Sequence, residues 1–251
     1  MSFVFLNLRR ILMDKAGLFF SIALPIFFYI IFGATQSYGD QPLNSGNVNA
    51  YIMIGMALYA GAVGAIGGAS TSVVEGVSGW NRQLALTPLT QGQLLASQLV
   101  PLIVRAALPV IAVYIAGVVG GAQMPLSTWI ATGLITVAVS IPFGLYGIAW
   151  AQLLRSSTAI SIASSSMVVL AFAGNILTPL PESFMDVVRF TPAYGAGALA
   201  RYPLSDGMQA ISGDPGTLTD PLIYAVVNVA AWAAIFGLAV VLLNRRDKTR
   251  I

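Results

Sequence analysis

Six long apolar runs divide this 251-residue sequence and limit its fold more than any other feature. Only 8% of its residues are charged, whereas soluble domains carry about 25%. A soluble fold could not cover this much apolar surface, so the solvent must be lipid. We therefore predict an all-α polytopic membrane protein that forms a single transmembrane domain over 1–251. The six predicted spans cover about 16–33, 50–74, 99–119, 128–153, 158–177 and 222–243.

Three segments outside the spans predict shorter helices. Residues 2–15 have helical amphipathic spacing and predict an interfacial helix in the headgroup plane, unless the first span simply begins early. The mostly polar stretch Glu75–Gln98 lies between spans two and three and predicts a short helix across the membrane face. The proline-rich stretch Thr178–Asp220 predicts short helices that dip into or lie on the outer interface.

Positive charge sorts between the loops and predicts the orientation. Basic residues cluster before span one, after spans two and four, and after span six, while the outer loops hold two arginines among five acids in the Thr178–Asp220 stretch. By the positive-inside rule both termini and the Glu75–Gln98 stretch are cytoplasmic. The Ala-, Val- and Gly-rich, Lys-poor composition suggests a bacterium, so we predict a multi-pass protein of the bacterial inner membrane.

Missing residue types exclude several chemistries. The chain has no histidine and no cysteine, which removes the Ser-His-Asp triad and histidine-based zinc sites. We predict no catalytic residues and no metal site. A P-loop needs a lysine after a glycine, but Lys15 and Lys248 both follow an aspartate. If transport here uses ATP, a separate chain must bind it.

The cytoplasmic stretch resembles the corresponding loop of ABC-2 type (type V) exporter permeases, the multidrug- and antibiotic-export-like membrane subunits. Their pattern is an acid, a glycine four residues later, and a leucine-rich turn that closes on Thr-Pro-Leu-Ser. The gap between acid and glycine is usually charged in the family and is Gly-Val-Ser here. The residues that match the loop pattern are Glu75, Gly79, Leu84, Leu86, Thr87, Pro88, Leu89 and Thr90. Further similarities are Pro25 with Phe32-Gly33, Ile54-Gly55, and the Pro179, Pro181, Pro192, Tyr194 and Arg201 series.

The resemblance implies a half-transporter that pairs with a second permease chain, identical or related, and with two cytoplasmic ABC ATPase subunits. ATP and Mg²⁺ would belong to the ATPases, this chain would hold no cofactor, and nucleic acid is not expected as a partner. The amphipathic helix and the Glu75–Gln98 coupling helix would receive the push from the ATPases. The residues implied in coupling are Arg9, Arg10, Glu75, Gly79, Trp80, Arg82, Leu84, Thr87 and Pro88.

Several polar residues have a structural interpretation beside the functional one. Glu75 and Arg82 could be solvated helix ends. Arg105 lies inside span three and either snorkels to the cytoplasmic face or pairs with Glu75 across the hairpin. The span-five serines could join helices, and a lone asparagine in span six could simply face protein. The candidate substrate-path residues are Ser161, Ser165, Asn175 and Asn228.

Three function classes can be compared on the sequence. The first is an ATP-driven exporter permease that moves an amphipathic or hydrophobic cargo such as a drug, antibiotic, peptide or lipid. The alternative is an ion-coupled secondary transporter, which usually carries intramembrane acids or histidines, whereas every Asp and Glu here lies in a loop or at a span end. A membrane-embedded enzyme would need paired acids within the spans, and the sequence has none.

Overall fold

The computed structural model describes residue 13 and residues 15–75, 91–214 and 216–248, and it is mostly helical. Two short hairpins, β1–β2 and β3–β4, lie in the connections, and both are antiparallel. The helices are α1 Lys15–Tyr29, continued by a π-helical turn Ile30–Ala34, α2 Val48–Glu75, α3 Gln91–Val119, α4 Leu126–Leu154, α5 Ser157–Ala173, α6 Met185–Val188, α7 Pro192–Ser205 and α8 Leu222–Lys248. The strands are β1 Pro42–Leu43, β2 Gly46–Asn47, β3 Met208–Ala210 and β4 Thr217–Thr219, and a 3₁₀ turn Glu182–Phe184 precedes α6.

Four of these helices are long and apolar enough to cross a membrane within the described residues: α2, α3, α4 and α8. Two further apolar helices are shorter, Ser21–Ala34 and Ser157–Ala173. An all-α membrane protein is therefore supported. Six complete spans remain a prediction, because α1 and α5 are shorter than the other four helices.

Helix α2 is the centre of the bundle, and α1, α3, α4, α5 and α7 all pack against it. In the most apolar 18-residue stretch of α2, 78% of the residues are buried. In the corresponding stretch of α8 only 6% are buried, so α8 lies at the periphery. The sequence of span two predicts a smooth strip for close helix packing, and α2 packs through it. The strip consists of the small residues Ala57, Ala60, Gly61, Gly64, Gly67 and Gly68. A Cβ at Gly64 would lie 2.1 Å from the Arg105 carbonyl oxygen, so only glycine lets the α3 backbone approach here.

One end of the bundle is closed by asparagine side chains. The Asn49 amide donates to Gly120 O at 2.5 Å and accepts from the Tyr29 hydroxyl at 2.5 Å. The Asn47 amide donates to Gly121 O at 2.8 Å. These bonds join the end of α1, the start of α2 and the α3–α4 turn, so all three lie at the same end.

Two helix bounds differ from the predicted spans. Helix α3 begins at Gln91, so the last eight residues of the Glu75–Gln98 stretch continue the span-three helix instead of belonging to a separate element. Helix α5 ends at Ala173, four residues before the predicted end of span five. Asn175 adopts a left-handed conformation, with φ 58°, which an α-helix cannot include.

The segment between α5 and α8 contains the short helices that the sequence predicts. Met185 and Val188 are buried on one side of α6, whereas Phe184 and Val187 are 59% and 71% exposed. Helical spacing in 182–190 predicts Phe184, Val187 and Val188 on one apolar side, and the structure divides these three residues between two faces. Exposed apolar side chains on this segment are consistent with contact with lipid.

Most of the predicted coupling elements lie outside the described residues. These include the predicted interfacial helix 2–15, apart from Lys15 and the exposed, helical Met13. They also include the 76–90 part of the Glu75–Gln98 stretch.

Candidate functional site

A cavity of about 520 Å³ opens between α1, α2 and α5, with one side chain from α3. This volume lies within the range of small-molecule sites, roughly 300–1,000 Å³. Gly17 in α1, Thr71 in α2 and Ser161 in α5 line the cavity, and each lies about one turn or less from an end of its helix. The α2 end is the one at Glu75, and the α5 end is the one at the α4–α5 turn. The cavity is thus at the end of the bundle that the charge pattern assigns to the cytoplasm. Its lining is Gly17, Ser21, Leu24, Tyr59, Val63, Gly64, Gly67, Thr71, Arg105, Ile160, Ser161, Ser164, Ser165 and Val168.

Hydroxyl groups form one wall of the cavity. Ser161 and Ser165 are exposed and lie one helical turn apart on α5, with Ser164 beside them. Ser166, on another side of α5, bonds instead to the Tyr146 hydroxyl at 2.7 Å and joins helices. Two of the four predicted path residues therefore line the same cavity.

Arg105 is the charged side chain of this lining. Its stem lies along the glycine strip of α2, where a Cβ at Gly68 would be 2.9 Å from the Arg105 Cδ. The side chain of Glu75 lies outside the described part of the chain, so pairing of Arg105 with Glu75 and snorkelling of Arg105 both stay predictions. A guanidinium in a cavity with several hydroxyls can bind a polar head group while the apolar positions contact the rest of a molecule.

The other two predicted path residues lie far from this cavity, in structural hydrogen bonds. The Asn175 amide donates to Ala210 O and accepts from Leu180 N, both at 2.8 Å, and so shapes the turn after α5. The Asn228 amide donates to the Arg189 and Thr191 carbonyl oxygens at 2.7 and 3.1 Å, and so holds the segment between α6 and α7.

The most buried charge of the described structure is Arg201 on α7, which is 2% exposed. Its guanidinium donates to the Tyr51, Asn175 and Ile176 carbonyl oxygens at 3.1, 3.2 and 3.0 Å, and to the Tyr51 hydroxyl at 3.3 Å. It also lies 4.0 Å from the centroid of the Tyr51 ring, in cation–π geometry. Backbone carbonyls, and no carboxylate among the described residues, therefore satisfy this charge.

Sequence reasoning placed Arg201 only in a family pattern and did not assign it a role. The sequence does indicate that this arginine is buried, because it lies in a helix rich in alanine and glycine that has hardly any polar face, PAYGAGALARYPLS. Gly55 of α2 provides the space. A Cβ there would lie 2.1 Å from Nη2 of Arg201.

A second charged cluster fixes the start of α8. Arg189 donates to both oxygens of Asp220, from Nε at 3.1 Å and from Nη2 at 2.8 Å, and the Tyr194 hydroxyl donates to the same carboxylate. Hydrogen bonding to Asp220 raises the pKa of Arg189 above its ordinary value. Burial raises the pKa of Tyr194, and the Asp220 carboxylate raises it further. Both groups therefore keep their protons at physiological pH.

Of the predicted coupling residues, the described structure includes only the backbone of Glu75. Glu75 is the last residue of α2, with its side chain outside the described part. The remaining coupling residues, Arg9, Arg10, Gly79, Trp80, Arg82, Leu84, Thr87 and Pro88, also lie outside it. No group of three or more acids, histidines or cysteines within the described ranges is placed to hold a metal ion.

Comparison with known proteins gives one weak relationship to a transport protein. No family model matches the sequence. The chain is similar to a Bacillus subtilis (strain 168) protein named "Putative transport permease YvfS". The two are 23% identical over 199 residues, which cover 76% of this chain and 80% of the relative. The similarity thus extends over most of both proteins.

Proposed function

We propose that this chain is the transmembrane permease subunit of an ATP-driven ABC exporter. Its cargo is an amphipathic or hydrophobic molecule that leaves the cytoplasm, and a separate ATPase chain supplies the energy. The observation that carries the proposal is the cavity between α1, α2 and α5, which places Arg105 and several hydroxyls inside a bundle of apolar helices. A lipid-facing helix bundle with a purely structural role has no need of such a polar site.

The similarity to a protein named as a transport permease supports the permease part of this proposal. The exporter part rests on the ABC-2 resemblance of Glu75 and the Gly79–Thr90 stretch. The chain has no P-loop lysine, so nucleotide must act through a partner. A push by that partner on the ends of α2 and α3 would reach the cavity directly, because both helices contribute to its lining. Such coupling requires two discrete packings of the helices.

The test is co-purification followed by ATP hydrolysis in lipid. The chain is expressed with candidate ABC ATPases from the same genome, purified in mild detergent and reconstituted. We expect the ATPase to remain bound and its hydrolysis to depend on the permease. Gly79→Arg should uncouple the pair, because a bulky cation replaces the glycine of the predicted coupling turn, whereas Asn44→Ser, at the opposite end of the bundle, is the matched control.

Two results would refute the proposal. One is failure of any ATPase to co-purify, combined with export that is indifferent to Gly79→Arg and Pro88→Ala. The other is vectorial transport by the isolated chain in vesicles driven by an ion gradient alone, which would indicate the secondary-transporter class.

A further inference from the structure

A groove of about 1000 Å³ lies on the outside of α8, next to the segment that contains α6. Its walls are mostly apolar, and several of the lining side chains are about half exposed, including Ile223, Val227 and Ile235. The Trp232 indole donates to Phe190 O at 2.8 Å, which fixes the α6 segment against α8 and gives the groove its second wall. The lining is Asp186, Arg189, Phe190, Ile223, Tyr224, Val227, Asn228, Ala231, Trp232 and Ile235.

The groove has the direction and length of a lipid chain. Its apolar lining runs from Ile223, near the start of α8, to Ile235. Twelve residues at about 1.5 Å each span about 18 Å, close to half of a hydrocarbon core of about 30 Å. A molecule that fills it would lie in the leaflet next to the start of α8, with its polar end at α6.

Opposite charges meet at the mouth of the groove. Arg189 Nη1 lies 3.2 Å from Asp186 Oδ1, and Nη2 lies 2.8 Å from Asp220 Oδ1. The Asp186 side chain is 92% exposed, whereas that of Asp220 is 6% exposed. One cation and two carboxylates leave one excess negative charge, and Asp186 is the accessible one.

The chemistry of this mouth selects among head groups. An accessible carboxylate attracts an ammonium group. Arg189 uses three of the five N–H donors of a guanidinium in the bonds above, so donors remain for a phosphate. A lipid that carries only negative charge would meet the excess negative charge of the cluster. A head group with adjacent phosphate and ammonium fits both partners.

We propose that this groove is a specific binding site for phosphatidylethanolamine. The ammonium binds Asp186, the phosphate binds Arg189, and one acyl chain lies along α8 to Ile235. This site is separate from the cavity between α1, α2 and α5, and it does not depend on the transport function proposed above. It also gives the exposed Phe190 and Tyr224 side chains a role as walls around a bound chain.

Native mass spectrometry of the full chain in detergent tests this assignment. The protein is titrated with phosphatidylethanolamine or phosphatidylglycerol of identical acyl chains. We expect phosphatidylethanolamine to be retained at lower concentration. Asp186→Asn should weaken that retention about two- to fivefold, the range for one exposed ion pair, and abolish the preference. Asp40→Asn removes an exposed carboxylate that lines neither the groove nor the neighbouring charged cluster and should change nothing.

A second pair of variants tests the acyl-chain part of the site. Ala231→Trp fills the groove and should abolish retention of either lipid, whereas Ala230→Trp, on an exposed neighbouring position outside the lining, should not. Both positions are at the surface, so helix content measured by circular dichroism should stay unchanged. Equal retention of the two lipids together with indifference to Ala231→Trp would mean annular lipid only and would overturn the proposal. A preference for phosphatidylglycerol would overturn the head-group assignment.

Discussion

Replacement of the buried Arg201 by methionine gives the most direct test of what holds α7 in the bundle. The variant keeps an unbranched side chain of similar length but removes every donor. The carbonyl oxygens of Asn175 and Ile176 then lose this partner in a region without access to water, whereas that of Tyr51 still accepts from the N–H of Gly55 within α2.

The structure allows the expected loss to be calculated. Each orphaned buried acceptor costs about 1–3 kcal/mol, so the two carbonyls together cost about 2–6 kcal/mol. The variant no longer buries a guanidinium, which returns part of that cost. We therefore expect Arg201→Met to lower the free energy of unfolding by about 2–4 kcal/mol, which is in the upper part of the range for a single substitution. Arg201→Lys should be almost as harmful, because an ammonium cannot reproduce the planar fork.

The assay is reversible unfolding of the purified chain in mixed micelles, followed by circular dichroism and tryptophan fluorescence. The matched control is Arg245→Met near the end of α8, where the arginine is exposed and the change should stay within about 0.5 kcal/mol. Equal stability of Arg201→Met and wild type would refute the conclusion that these hydrogen bonds fix α7 to α2.

Three further predictions concern the same bundle. Gly55→Ala should destabilise the chain in the same unfolding assay, because the new Cβ would lie 2.1 Å from Nη2 of Arg201. Gly67→Ala should be tolerated, because the atom nearest to its Cβ would be 3.9 Å away. Equal losses of stability in the two variants would argue against the close approach of Arg201 to Gly55. Ser161→Phe should fill part of the cavity and reduce cargo-stimulated ATP hydrolysis in the reconstituted complex, whereas Val169→Phe, two turns along α5, should not. The stability contributed by the Tyr194 proton should be complete below pH 10.0 and be lost as the pH rises above it, because the folded pKa is the higher one. Tyr194→Phe should therefore make unfolding less dependent on pH in that alkaline range, and an unchanged slope would contradict the reasoning.

The sequence predicted the helices better than the polar sites. Apolar run length placed α2, α4 and α8 within a few residues of their ends, because an apolar run that must satisfy its backbone in lipid has few alternatives to a helix. The predicted span 99–119 coincides with the apolar part of α3, and the helix continues back from it to Gln91 through a polar stretch that hydropathy alone cannot assign. Helix α5 was predicted too long, because the left-handed turn at Asn175 follows an uninterrupted run of compatible residues.

The predicted substrate-path residues show what the sequence leaves undecided about polar side chains. Ser161 and Ser165 were selected as hydroxyls in an apolar run, and the structure places both at the cavity. Asn175 and Asn228 were selected as polar residues in predicted spans, yet their amides bond to backbone carbonyls of neighbouring segments. A polar residue in a membrane helix must find a partner, but its sequence does not say whether that partner is protein or cargo.

By itself, the sequence determined that lipid is the solvent, that long helices dominate the fold, and that no lysine stands where a P-loop needs one. It did so because hydropathy, charge and missing residue types are properties of the chain alone. The tertiary structure decided that α2 is central, that Arg201 is satisfied by carbonyls beside Gly55, and that α8 has a groove with a charged mouth. These features depend on groups far apart in the chain that meet only when the helices pack.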